Sequence, residues 1–136
     1  MKSLLLLSSV LLVSHLSAKD VLLDTATSLL WHDAPISKKA LATYKEAKNY
    51  CKFLKVEEYE DFRLPALHEL QTIIDYKNYK PAILSGFKYV ENATYWTSTV
   101  FADASDERWT VDFEKGARSV KATYYDRHFR CVQKLK

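Results

Sequence analysis

The chain is poor in the residues that interrupt regular structure. Two glycines and three prolines in 136 residues leave no flexible linker, collagen-like repeat or low-complexity tract. Charge of one sign is not in excess, since 20 basic and 17 acidic side chains give a net charge of +3. So small a surplus is no argument for nucleic acid or a membrane surface as partner. Cysteine is scarce: Cys51 and Cys131 stand without a CxxC pair, which weighs against a redox or metal-binding role. His68-Glu69 begins like a zinc-protease helix, but the second histidine needed at i+4 is replaced by Thr72. His32 and His128 are far apart in sequence. No paired carboxylates, Ser-His-Asp order or glycine-rich phosphate loop is evident. The expectation is therefore no catalytic residue, no metal and no cofactor.

What the chain does have is a distinctive start. Lys2 carries the one formal charge before Lys19, Leu4 to Val13 is an apolar run, and Leu16-Ser17-Ala18 is a small-residue exit. That is the pattern of a secretory leader over residues 1–18; the apolar run is about half the length that spans a bilayer, so a retained membrane anchor is the weaker reading. No cysteine follows Ala18, so lipid anchoring is not indicated. The expectation is a periplasmic or secreted protein with residues 19–136 as one domain. In an oxidising compartment an isolated cysteine pair usually closes a disulfide, here Cys51 with Cys131. Its loop of about 80 residues makes it worth up to ~4–5 kcal/mol in the chain-entropy model.

Local patterns place that pair. Val21-Leu22-Leu23 and Leu29-Leu30-Trp31 read as short strands, and residues 32–42 as a loop containing Pro35. Thr43-Tyr44-Lys45-Glu46 is a capping box. Ala47, Tyr50, Cys51 and Leu54 then fall at i, i+3, i+4 and i+7, which puts Cys51 on the buried stripe of a helix. A second helix is expected after Pro65, with Leu67, Leu70, Ile73 and Ile74 inward and a poor cap at Ala66. From Tyr95 a period of two takes over. Tyr95 to Thr99 is rich in strand formers, and Trp109, Val111 and Phe113 alternate with polar residues. Glu114-Lys115-Gly116 reads as a hairpin turn, and Val120, Ala122 and Tyr124 alternate on the return strand. His128 to Lys134 reads as the last strand and carries Cys131. Helices early and an antiparallel sheet late make the chain α+β.

Several segments in this order resemble one bacterial family. They are Asp24…Leu29-Leu30-Trp31; Glu46-Ala47…Tyr50-Cys51…Leu54; Tyr59-Glu60-Asp61-Phe62-Arg63-Leu64-Pro65…Glu69-Leu70; Tyr95-Trp96-Thr97-Ser98-Thr99; Trp109-Thr110-Val111-Asp112-Phe113…Gly116; and Arg130-Cys131-Val132. The third and fourth are the specific ones. The family is the domain found at the C-terminus of the Legionella collagen-like adhesin. The resemblance implies a C-type-lectin-like fold, with two helices packed on a twisted antiparallel sheet. There are departures: Thr27-Ser28 stands where the family usually has Thr-Gly, Tyr44 and Phe62 where it has Trp, and Ala66 where it has Ser or Thr. No collagen-like stalk is attached, so the trimeric adhesin architecture does not carry over.

Candidate sites follow from both readings. Asp61, Arg63, Pro65, Glu69 and Trp96 belong to the specific motifs and read as structural. Arg63 is expected to be half-buried, to pair with Asp61 or Glu69, and to fix the loop leading into the second helix. Trp31, Trp96 and Trp109 sit in strand patterns and read as core. Asp103, Asp106 and Glu107 read as a solvated turn, and the Glu-Pro-Asn and Trp-Asn-Asp signatures of calcium-dependent lectins are absent. Lys115, Arg118, Lys121, Arg127, Arg130 and Lys134 make the last quarter basic, with Tyr124 and Tyr125 among them. Arg118, Lys121, Tyr125 and Arg127 are the candidate ligand residues, and some of the basic charges are expected to share one exposed sheet face. Guanidinium forks match sulfate and carboxylate geometry, so the partner expected is an anionic polysaccharide. The competing reading is a solvated strand face. As function, an exported non-enzymatic binding or adhesion module stands first. The alternatives are a structural or partner-binding envelope protein, and an enzyme related to formylglycine-generating oxidases, which depend on reactive cysteines.

Overall fold

Asp24 closes the first turn with its own side chain. Its carboxylate accepts from the Ala26 amide at 3.1 Å and from the Thr27 hydroxyl at 2.8 Å, and the apolar runs on either side fold back on each other. The computed structural model describes residues 20–136. In chain order they form β1 (Val21–Asp24), β2 (Leu29–His32), α1 (Pro35–Lys39), α2 (Tyr44–Phe53), α3 (Leu67–Gln71), β3 (Thr94–Phe101), β4 (Ala104–Asp112), β5 (Ala117–Ala122) and β6 (Val132–Lys134). The residues assigned to a leader, 1–18, lie outside the described residues.

The architecture is α+β with two antiparallel sheets, each of three strands, in the orders β1-β2-β6 and β3-β4-β5. This corrects the expectation of one sheet late in the chain. Leu29 pairs with Lys134 and Trp31 with Val132, so the first sheet joins the two ends of the described chain. The second sheet is a meander whose β4–β5 turn holds Gly116 at φ 83°. An ideal Cβ there would come within 2.8 Å of Ile74 Cγ2, so glycine is needed for both conformation and space.

Three helices replace the expected two. The segment read as a loop around Pro35 holds α1, with the proline in its first turn, where a missing N–H breaks no helical bond. Helix α2 starts at the Thr43–Glu46 capping box: the Glu46 amide donates to Thr43 Oγ1 and the Thr43 amide to Glu46 Oε1. Helix α3 is one short turn, and Ile73, beyond its end, is nevertheless fully buried. The last strand is shorter than expected. Arg127 and His128 make single bridges to Ala42 and Tyr95, and the ladder starts at Val132. Cys131 therefore sits just ahead of β6. Its sulfur is 2.05 Å from that of Cys51 on α2, and both residues are fully buried.

Two apolar clusters fill the interior. One gathers Trp31, Leu70, Ile73, Tyr95, Val111, Phe113 and Val132. The other gathers Leu30, Ala47, Cys51, Phe62, Leu64, Trp96, Phe129 and Cys131. Neighbouring residues of β2 and β3 enter different clusters, because successive strand side chains point to opposite faces. Both strands are thus covered on two sides, which is why Leu29-Leu30-Trp31 and Tyr95-Trp96 show no polar alternation.

Candidate ligand-binding surface

The two most specific sequence segments touch each other. The Ser98 amide donates to the Pro65 carbonyl at 2.8 Å, and the Leu67 amide to Thr99 Oγ1 at 2.8 Å. Thr99 thus serves an amide of the first turn of α3, beside Ala66, which has no capping side chain. Arg63 forks onto Glu69 with Nη1–Oε1 at 2.7 Å and Nη2–Oε2 at 2.9 Å. That charge-assisted pair holds the Glu69 carboxyl below its ordinary pKa and raises that of the guanidinium. Of the two partners expected for Arg63, Glu69 is the one used; Asp61 is exposed, at φ 65°. Pro65 is fully buried, as is Trp96, whose indole N–H donates to the Ala42 carbonyl at 2.9 Å. Trp31 is fully buried too, whereas Trp109 is partly exposed.

Sequence reasoning missed the most deeply set charge. Arg130 is 0% exposed and pairs with Asp33 at 3.0 Å. Its Nη1 also donates to the His32 carbonyl at 2.8 Å and its Nη2 to the Tyr89 carbonyl. The guanidinium carbon lies 5.0 Å from the Phe87 ring centre and 5.9 Å from that of Tyr95. Asp33 in turn accepts the amides of Lys88 at 2.8 Å and Tyr89 at 3.1 Å. A signal was present: an arginine inside Phe129-Arg130-Cys131-Val132 needs a buried partner.

The basic candidates divide. Arg118 and Lys121 are an odd number of residues apart in a regular strand, so they point to opposite faces of β5. Some of the basic charges are expected to share one sheet face; these two do not. Arg118 lies 5.2 Å from the Trp109 ring centre on one face. On the other, Lys121 is opposite Arg108, whose guanidinium carbon lies 4.4 Å from the Tyr44 ring centre. The chain then turns out of β5. Tyr124 and Tyr125 are 66% and 53% exposed, with ring centres 4.8 Å apart, and Arg127 lies 5.6 Å from the Tyr125 ring centre. The Tyr44 amide bonds to the Thr123 carbonyl at 3.1 Å, and Arg127 exchanges backbone bonds with Ala42. The turn is thereby pinned beside the start of α2.

The sequence profile of the Lcl C-terminal domain matches residues 20–133. The chain belongs to the Lcl C-terminal domain family. No curated protein and no solved structure matches it. In this Lcl C-terminal domain, among the described residues, no three His, Cys, Asp or Glu side chains group as metal ligands would. No helix among them is long and apolar enough to cross a membrane. Exposed tyrosine faces give flat apolar contact, and Arg127 and Lys121 give fork and point donors to an anion.

Proposed function

We propose that this Lcl C-terminal domain is an exported, non-enzymatic adhesion module that binds anionic polysaccharide at the turn after β5. One observation carries the reading: two adjacent, exposed tyrosines with a guanidinium beside the second. Sugar rings have an apolar C–H face that lies flat on an aromatic ring, while sulfate or uronate groups reach for a guanidinium fork. Tyr125 and Arg127 supply the two halves, and Lys121 sits at the end of the strand that leads there. The leader-like residues 1–18 and the disulfide both support export. The pairing of the first and last strands, and the tie from α2 to the segment before β6, support a C-type-lectin-like fold. Cys51 and Cys131 are joined and buried, which favours a binding role over cysteine-dependent oxidase chemistry.

The test is heparin-column elution of the disulfide-bonded protein across a salt series. Retention at low salt that weakens as salt rises is expected, because exposed charge contacts are screened. Tyr125→Ala and Arg127→Ala should each shift elution to lower salt with an unchanged thermal midpoint. No retention at low salt, or retention unaffected by both substitutions, rules the site out.

A further inference from the structure

A second concave surface lies along α2 and is not used by the tyrosine turn. Tyr44, Lys48 and Lys52 are spaced by four, so they follow one face of the helix. With Phe62, Arg63, Leu64 and Ser98 of β3 they line a cleft of about 250 Å³. The walls are apolar. Phe62 and Leu64 belong to a core cluster, and the Tyr44 ring is held between Arg108 and Trp96, 5.9 Å from the latter. The mouth is cationic. The Arg63 charge is answered by Glu69, but among the described residues neither Lys48 nor Lys52 has a carboxylate within ion-pair distance. The Lys52 ammonium rests 5.6 Å from the exposed Phe53 ring, on the solvent side of the helix.

We propose that this cleft binds a small amphiphilic carboxylate, its head group between Lys48 and Lys52 and its apolar body against Tyr44, Phe62 and Leu64. Size and lining select that class. A cavity of about 250 Å³ equals about eight water volumes, room for roughly six to ten non-hydrogen atoms. A bare inorganic anion leaves the apolar walls without a partner. A neutral apolar molecule leaves the two lysines without one. The cleft's hydroxyls are those of Tyr44 and Ser98, and the latter already donates to the Pro65 carbonyl at 3.3 Å, which leaves few neutral polar groups for a sugar.

The probes are hexanoate and its neutral counterpart hexanol, titrated against the intact, disulfide-bonded protein and followed by backbone amide NMR shifts. Hexanoate is expected to shift amides of Tyr44, Lys48, Lys52, Leu64 and Ser98 with millimolar affinity. From butyrate to hexanoate, affinity should rise about fourfold per methylene. Hexanol should bind about tenfold more weakly, since it lacks the charge-assisted contacts. The Lys48→Ala/Lys52→Ala double variant should lose most of the hexanoate affinity and keep that for hexanol. Both lysines are exposed, so an unchanged thermal midpoint confirms that the variant is folded. Equal binding of hexanoate and hexanol, absence of shifts at the cleft, or full hexanoate affinity in the double variant each overturns the proposal. Heparin enters none of these arms, so the outcome is separable from that of the glycan experiment.

Discussion

Removing Asp33 tests the energetics of the interior most directly. Asp33→Ala leaves the Arg130 guanidinium, 0% exposed, with two carbonyls and two aromatic faces but no counter-charge. Breaking a buried pair from one side costs about 3–5 kcal/mol. The Lys88 and Tyr89 amides also lose their acceptor. Those two sites are partly open to water, so their added cost is about 1 kcal/mol together rather than the full buried penalty. The sum, about 4–6 kcal/mol, is a large share of the ~5–15 kcal/mol that stabilises an ordinary domain. The milder Asp33→Asn keeps one carbonyl oxygen but turns an amide N–H₂ toward donors, so about 2–4 kcal/mol is expected. Urea unfolding followed by tryptophan fluorescence, with the disulfide intact, reads both values. The companion is Arg130→Met in the Asp33→Ala background, which removes the orphaned charge and fills the space with an apolar stem. It should recover about 1–4 kcal/mol of the loss. An Asp33→Ala cost below about 1 kcal/mol, or strictly additive losses in the double variant, refutes the reasoning.

Three further perturbations have signed outcomes. Burial, helped by Arg130, lowers the pKa of His32 from 6.5, and burial lowers that of His128. The unfolded chain then binds protons at higher pH than the folded one, so stability is full from about one pH unit above 6.5 and falls as acid protonates these rings. The urea midpoint should drop between about pH 7.5 and about pH 5, and a flat profile contradicts the burial argument. Replacing both Cys51 and Cys131 by alanine should cost up to ~4–5 kcal/mol, given the 80-residue separation, read as a lowered urea midpoint. Gly116→Ala should cost about 1–3 kcal/mol, since φ is 83° and the new Cβ meets Ile74 and Tyr76 below 3.0 Å. A thermal midpoint within a degree or so of the parent would show that the turn relaxes freely.

The legible part of the fold was its local part. Thr43 and Glu46 marked a helix start because both halves of the capping box lie within four residues. Gly116 marked its turn because only that backbone needed positive φ between two alternating runs. What was not legible was which strands meet. Leu29 pairs with Lys134 across more than a hundred residues, and nothing in either segment names the other. Pro35 misled for a different reason: it disrupts a helix interior but fits the first turn of α1. On the surface, the positions of Arg118 and Lys121 on opposite faces follow from parity alone once a regular strand is granted. The tyrosine turn was visible as residues, but its attachment to α2 depends on the Tyr44–Thr123 and Ala42–Arg127 backbone bonds. The cleft along α2 left no sequence signal beyond the 44, 48, 52 spacing, since its other wall comes from the Phe62–Leu64 segment.

The short last strand is explained by what its approach does instead. From Arg127 to Val132 the backbone bonds to a different element at almost every step. Arg127 pairs with Ala42 ahead of α2, and His128 accepts from Trp96 and donates to Thr94 on β3. The Cys131 carbonyl accepts from His32 at the end of β2, and Val132 exchanges bonds with Arg63. A uniform ladder would commit all these groups to one neighbour. Spreading them lets six residues join both sheets, α2 and the Arg63 loop. The side chains repeat the pattern, with Arg130 reaching Asp33 and Cys131 reaching Cys51. The exposed tyrosines, Tyr124 and Tyr125, end two residues before this stretch, so the turn that carries them is anchored by a densely cross-linked segment. Under the proposed function, that anchoring limits the ordering entropy that binding at this turn would cost. It also explains why a charge as costly to bury as Arg130 sits here: its partners lie on three separate chain segments, and no apolar side chain bonds to them all.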